Sequence, residues 1–589
     1  MRASPATSRL LTTAFVAVMV AGSFARAAQL RDNVLYSVGA DFKGFDPADS
    51  GDVISAAMCS RVYEGLLEYA YLDRPYHAEP RLAEAMPEVS ADGFTYTFHI
   101  KKGVYFSDDP CFPGGKGREL TADDFVYAFT RVLDPKIEST GDWIFVNHVA
   151  GAKEWVEKGD AKAKIPGFVA VDRYTLQIKL RQPYPQLIWV LTMTYAFAIP
   201  HEAVEHYGVE FRSHPGGTGP YLMKDWRFNY RVEFVRNPKF SGQTYPTTGE
   251  PGDREAGLLD DAGKPLPLLD RIVDYEIQEF YTVWQMFLGG QLATTGISKD
   301  YFEKVINPQL ELSDALKKRG IRLYKTPEMS LWYIAFNMKD PLVGASPDPV
   351  INEQHKKLRQ AFALAIDTET YCTVIRNNRD TPANTILPPG VAGHTETPYP
   401  YRFNRSSAKQ LLAEAGYPEG RDAKGHQLRL TMISSGAGST ESRQQGEFFA
   451  EQLRAIGVEL ISQQLSFAEY LRREHDGETQ LIYAGWIIDY PEGQNFMQLL
   501  YGPNKTPGVN FCNYQNPDFD RLYERILTMQ DSPERSALYE KMSNMAIEDC
   551  PWALMTYSLA YGLFQPWFQN YKPHSFPYPN AKFYKVLPH

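Results

Sequence analysis

Apolar and polar residues alternate with period two along Phe94-Thr95-Tyr96-Thr97-Phe98-His99-Ile100, behind an Asp92-Gly93 turn. Successive side chains of a strand point to opposite faces, so this spacing predicts a half-buried strand. Leu176, Ile178 and Leu180, after Asp172-Arg173, predict another. Between them the period changes: Phe125, Val126, Phe129, Val132 and Leu133 share one helical face, and Thr121 with Asp123 and Asp124 offers a cap and acids for the positive helix end. Asp134-Pro135 stops that helix. Ser407 to Gly416 has the same grammar, closed by glycine. Residues 241–267 (SGQTYPTTGEPGDREAGLLDDAGKPLP) follow neither period and read as a long insertion, expected to be a solvated surface loop rather than a lid. The rest mixes short strand and helix patterns, as two or three packed α/β lobes require.

At 589 residues the chain exceeds what one hydrophobic core supports. Its 43% hydrophobic and 22% charged residues exclude a disordered chain and a multi-span membrane protein. A net charge of −10 argues against nucleic acid as partner, since phosphate backbones need clustered Lys and Arg. Tyr 36, Phe 33 and Trp 9 form a large aromatic share, suited to concave ligand surfaces as well as to large cores.

Residues 1–27 carry Arg2 and Arg9, an uncharged run Leu10–Gly22, and then Ala25-Arg26-Ala27. This reads as a cleavable export signal cut after Ala27, because a 13-residue run is too short to cross about 30 Å of hydrocarbon. Losing its three arginines takes the mature charge to −13. The first cysteine after the run is Cys59, so no lipid anchor is expected, and a soluble exported protein points to the periplasm of a double-membrane cell. Cys59, Cys111, Cys372, Cys512 and Cys550 form no C-x-x-C pair, which removes zinc ribbons and redox dithiols; one or two disulfides are expected, with at least one free thiol.

Catalytic signatures are missing. His201-Glu202-Ala203-Val204-Glu205-His206 places its histidines five apart, not the four a zinc-protease helix needs, and reads instead as a helix start after Pro200. There is no nucleophile elbow and no P-loop, and Gly436-Ala437-Gly438-Ser439-Thr440-Glu441 lacks the last glycine of a dinucleotide fingerprint. No metal and no cofactor are expected. A glycosidase needs only two carboxylates close in space, a pattern hidden among 71 acids, so a secreted hydrolase stays open as the rival reading.

An ordered series of segments spans nearly the whole mature chain. It includes Phe45-Asp46-Pro47, Val62-Tyr63-Glu64-Gly65-Leu66, Leu120-Thr121-Ala122-Asp123-Asp124-Phe125-Val126-Tyr127, Arg131-Val132-Leu133-Asp134-Pro135, Thr218-Gly219-Pro220-Tyr221, Leu358-Arg359-Gln360-Ala361-Phe362-Ala363 and Gly485-Trp486-Ile487-Ile488-Asp489-Tyr490. Together these resemble the periplasmic solute-binding proteins of oligopeptide and dipeptide ABC importers, the extracellular solute-binding proteins of family 5. The resemblance implies an α/β, periplasmic binding protein-like fold, two lobes joined by a two-strand hinge plus an accessory domain. It implies lobe one from 28–73, 195–325 and 553–589, an accessory domain at 74–194, lobe two at 326–552, and a hinge near Tyr324–Glu328 and Leu554–Tyr557. The function implied is a non-catalytic, monomeric receptor that binds a peptide or peptide-like solute and delivers it to a membrane permease driven by ATPase subunits. The family also includes carriers of nickel chelates, haem, sugars and opines, so the ligand stays open.

The resemblance also carries site residues. Asp489, in the Gly-Trp-x-x-Asp-Tyr segment, takes the place of the aspartate that holds a peptide α-amino group; read alone it is a turn-forming residue before Pro491. Trp486 would wall the pocket or simply pack in the core. Ser50, Asp52 and Trp143 are candidate walls on position alone. Some relatives have an arginine three residues before the tryptophan to meet a peptide carboxylate, but this chain has Tyr483, so capture of the C-terminus by that route is not expected.

Overall fold

The strand expected over 94–100 runs over Thr95–His99, with Tyr96 and Phe98 buried and His99 exposed. It pairs antiparallel with Thr175–Lys179, the second alternating segment, whose Leu176 and Ile178 are also buried. These are the middle strands of a four-stranded sheet ordered Glu88–Val89, Thr95–His99, Thr175–Lys179 and Phe168–Asp172. The helix between them is Ala122–Val132. Its cap is made by the acid: the Asp124 carboxylate takes the Thr121 backbone N–H at 2.8 Å and its hydroxyl at 3.1 Å, and Arg118 bonds both oxygens of the same group at 2.9 and 2.7 Å. The computed structural model describes residues 33–39, 42–159, 163–240, 242–277, 279–575 and 580–589; the expected export signal, 1–27, lies outside the described residues.

A second four-stranded sheet is ordered Val34–Gly39, Arg271–Glu276, Arg231–Arg236 and Tyr221–Arg227, its first pair parallel and the others antiparallel. Phe98 and Phe129 belong to the same buried cluster as Leu35, Phe234 and Ile272, so both four-stranded sheets share one continuous core.

The largest sheet follows the order Thr294–Thr295, Trp552–Phe564, Ser330–Phe336, Leu481–Ile487, Arg429–Ser435 and Glu459–Leu465. Its central strand, SLWYIAF, is apolar along almost its whole length, as a strand covered on both faces must be. Helices Pro349–Ala365 and Thr440–Arg454 supply Phe362 and Phe449 to the face of Ile334 and Phe336. Helices Pro517–Ile526 and Pro533–Asp549 supply Phe519 and Tyr539 to the face of Leu331 and Tyr333. The 13-residue strand Trp552–Phe564 bridges two regions: residues 552–556 pair with Ser330–Phe336, and residues 559–564 with Arg322–Pro327. The chain therefore passes between the two halves of the molecule twice, once at Glu328-Met329 and once near Ser558, where the Glu328 N–H donates to the Ser558 carbonyl at 2.9 Å.

One expectation is corrected and another is sharpened. No disulfide forms: all five cysteines are free, and all but Cys111 are buried, behaving as small apolar side chains in separate parts of the core. The 241–267 insertion is largely exposed, as a surface loop should be, but ion pairs to lysines elsewhere in the chain pin it down. Lys572 Nζ reaches Asp253 and Glu250 at 2.7 Å each, and Asp261 takes Lys264 at 2.5 Å and Lys585 at 3.0 Å. Its acids, which suggested a loop in water, are partners for lysines far along the chain. His201–Tyr207 is the short helix expected after Pro200, and Glu202 pairs with Arg118 at 2.8 Å.

Candidate functional site

The ladder between Ser330–Phe336 and Leu481–Ile487 ends at the pair Ser330↔Ile487, after which the Ile488 N–H donates to the Met329 carbonyl at 3.0 Å. Beyond that bond the chain turns away from the sheet and Asp489 faces a cleft of about 300 Å³. The opposite wall is the loop Ser50-Gly51-Asp52, backed by Thr194 and Tyr195, with Glu328, His574 and Ser575 along the sides. Residues 439 positions apart thus meet across the cleft, Ser50 with Asp489.

Each wall is positioned by polar contacts. Asp46 fixes the start of the loop through a bidentate pair with Arg131 at 2.6 Å per bond. The Ser50 hydroxyl donates to the Pro47 carbonyl at 2.7 Å and lies 2.6 Å from the Thr194 hydroxyl. Gly51 is a steric requirement, since a Cβ there would come within 2.3 Å of the Thr140 hydroxyl and 3.2 Å of the Tyr195 hydroxyl. Asp52 caps the helix Val53–Val62: Oδ1 accepts the N–H groups of Ile54 at 3.0 Å and Ser55 at 2.8 Å, and Oδ2 takes the Ser55 hydroxyl at 2.7 Å. Both of its oxygens are therefore engaged at the positive end of a helix.

Asp489 is placed differently. Asn495 holds it from both sides, its Oδ1 accepting the Asp489 N–H at 3.0 Å and its Nδ2 donating to Asp489 Oδ2 at 2.9 Å. Among the described residues no cation pairs with the carboxylate. Burial pushes its pKa up to about 6, and the Asn495 hydrogen bond offsets only part of that. Among the described lining residues there is no Lys or Arg; His574 is the one side chain able to carry positive charge, and its ring stands edge-on to Tyr69 and Tyr76. Glu328 lies in the same cleft with its carboxyl group unbonded among the described residues, and burial followed by nearby Asp380 raises its pKa, with Arg376 working in the opposite direction.

The other expected site residues lie around this cleft rather than in its lining. Trp486 alternates onto the sheet face of Ile482 and Ala484 and packs against that core, while its indole N–H donates to Asn495 Oδ1 at 2.8 Å. It touches the same asparagine that holds Asp489. Trp143 packs beside Tyr490, ring centroids 6.5 Å apart. Tyr483 points to the opposite sheet face from Trp486, stacks on Trp332 at 5.7 Å, and meets the Tyr371 hydroxyl at 3.1 Å. There it lines a second cavity of about 200 Å³ with Arg376, Glu441, Gln445 and three serines. Gly485 lies between the two cavities on that face, opposite Trp332, whose ring leaves no room for a Cβ. Sequence reasoning missed Tyr195, His574 and Glu328 as lining residues: no motif surrounds the first two, and Glu328 entered only as the end of a hinge segment.

The profile of the bacterial extracellular solute-binding proteins, family 5 (middle), matches residues 77–508. A glutathione-binding protein, GsiB, of Shigella dysenteriae serotype 1 is 26% identical over 542 residues, covering 91% of this chain and 90% of that protein. Among solved structures, the periplasmic binding protein DppA of Helicobacter pylori in complex with the peptide STSA superposes with a TM-score of 0.73 at 22% identity, covering 94% of this chain and 98% of that one. The murein tripeptide binding protein MppA of Escherichia coli gives 0.72 at 21%, covering 95% and 99%.

Proposed function

The chain belongs to family 5 of the bacterial extracellular solute-binding proteins, and we propose that it is the periplasmic receptor of an ABC importer, binding a peptide by its α-ammonium group at Asp489. The observation that carries this reading is a partly buried carboxylate, held in place by Asn495, facing a cleft whose described lining includes no lysine or arginine. An ionised acid out of water without a cation is costly, and a ligand ammonium removes that cost. The names of the similar proteins, which bind glutathione, the peptide STSA and a murein tripeptide, support a peptide or peptide-like ligand.

In this reading the double passage at Glu328-Met329 and Ser558 is the hinge. Lobe one is built on the first two sheets, with 74–194 as its accessory part, and lobe two on the largest sheet. Lys299, which follows the short strand Thr294–Thr295, reaches Gln444 on the helix Thr440–Arg454 at 2.6 Å, a contact that closure makes and opening breaks. A ligand drives closure only by binding the closed form more tightly. The export signal, the monomeric state and delivery to a permease with its ATPase subunits belong to the same proposal, as does action as a carrier rather than a hydrolase. No helix of the described residues is long and apolar enough to cross a membrane.

The test is to incubate purified protein with a mixed peptide pool and identify what remains bound by native mass spectrometry. Intact peptides at one per chain are expected. Cleaved products would make it a hydrolase, and a non-peptide ligand would remove the α-ammonium reading.

A further inference from the structure

Glu328 enters the cleft from the hinge, between the strands Arg322–Pro327 and Ser330–Phe336, while Asp489 follows the end of Leu481–Ile487, so the two carboxyl groups approach one cavity from separate segments. Each of the other acids near by is already occupied. Asp52 caps a helix with both oxygens. Asp380 accepts Arg376 Nε at 2.8 Å and the Thr556 hydroxyl at 3.0 Å. Glu441 takes Arg376 and Arg379. Arg376, whose charge acts on Glu328, is thus shared between Asp380 and Glu441. Among the described residues Glu328 has no bonded partner, and it lines the cleft that Asp489 faces.

From this arrangement we infer that Glu328 is a specificity-determining residue for a second positive charge, so that the preferred ligands are peptides whose first residue is basic, with the α-ammonium on Asp489 and the side-chain cation on Glu328. The inference rests on the peptide reading above and adds the substrate class. A lysine or arginine side chain extends several Å from its α-nitrogen, which suits one cavity approached by two carboxylates from different elements. The apolar stem would lie along Met193, Ile487 and Ile488, which also line the cleft, while the charged head reaches Glu328. The charge balance runs the same way: glutathione, with two carboxylates and one ammonium, would bring a net negative charge into a space that offers acids and no lysine or arginine. An uncompensated carboxylate there would be disfavoured by both desolvation and repulsion.

The experiment compares lysyl-trialanine with norleucyl-trialanine, nearly equal in shape and differing by one charge, by calorimetry at pH 7.5 and low salt. Wild-type protein is expected to bind the lysyl peptide at least about tenfold more tightly, the lower range for a desolvated charge pair. Glu328→Gln should bring the two affinities within about twofold by weakening only the lysyl peptide. Equal affinities in the wild-type protein would overturn the inference without any variant having to fold. It would also fall if Glu328→Gln weakened both peptides by one factor, the mark of a purely structural hinge residue. N-acetylated norleucyl-trialanine separates this inference from the reading beneath it. If acetylation abolishes binding while the lysyl side chain adds nothing, the α-ammonium anchor stands and the role of Glu328 is wrong. If neither free peptide binds, both fall. Glutathione as competitor should displace the lysyl peptide at least about tenfold less well than norleucyl-trialanine does, and equal or better competition would contradict the charge argument.

Discussion

The two walls of the cleft each present an aspartate, and the two carboxylates have different chemical states. Asp52 spends both oxygens on Ile54, Ser55 and the positive end of a helix. Asp489 has one neutral partner, Asn495, and a pKa pushed up to about 6 by burial. One is satisfied by its own chain, and the other has no cation beside it among the described residues. Facing a cavity therefore does not make a residue a ligand anchor. What separates the two is the local supply of N–H donors, which a helix start provides and a strand end does not.

The strongest way to break this contrast is to remove the charge from each wall in turn. Asp489→Asn keeps the shape and the contact with Asn495 but loses the anion, and peptide affinity should fall about 100-fold, within the range for truncating one partner of a buried charge pair. Unchanged affinity by calorimetry would place the α-amino group elsewhere. The same anion makes binding depend on pH. An ammonium pairs with the ionised carboxylate, so affinity for norleucyl-trialanine, which does not engage Glu328, should be flat above pH 7 and about tenfold weaker at pH 5. Stability of the ligand-free protein runs the opposite way. A carboxyl whose folded pKa is raised contributes stability that is complete below its unfolded pKa near 3.8 and is lost as pH rises through about 6. Ligand should therefore raise the melting temperature more at pH 7.5 than at pH 5, and Asp489→Asn should abolish that difference.

Asp52→Ala tests the other wall. Losing a helix cap should lower unfolding free energy by about 1 kcal/mol, seen as a lower urea midpoint, while peptide affinity stays within about twofold. A large loss of affinity with intact stability would give Asp52 the anchoring role and erase the contrast.

The sequence revealed most where one physical signal acted alone. Alternation at Tyr96 and Phe98 located a strand to within a residue at each end, and the 3.6-residue period of Phe125 and Phe129 located a helix, because burial of one face dominates in both places. It misled where composition stood in for contacts. Asp253 and Asp261 sit among glycines and prolines and look solvated, yet their lysine partners, Lys572 and Lys585, lie more than 300 residues away. At the cleft, a family-like segment drew attention to Asp489 and position alone to Ser50, and the two line one cavity. Glu328 had no segment to mark it. Its meaning depends on which neighbours are already paired, and that is set by Arg376, Asp380 and Glu441 coming together in space.

Tyr483 offers the smallest expected effect and the finest test. At about 3.3 Å per residue, it lies about 13 Å along its strand from Ile487, which lines the Asp489 cleft, and it opens onto a different cavity. Tyr483→Phe keeps the stack on Trp332 and loses the hydroxyl contacts with Tyr371 and Gln445, so stability should fall by about 1 kcal/mol. A tripeptide anchored at Asp489 reaches about 10 Å when extended and should bind the variant as it binds the wild type, whereas a hexapeptide spanning about 20 Å can lie past Gly485 to the second cavity. A loss of several-fold for the hexapeptide alone would join the two cavities into one ligand track along the 481–487 strand. Equal affinities for both lengths would confine recognition to the Asp489 end and leave the second cavity to the packing of Trp332 and Tyr371.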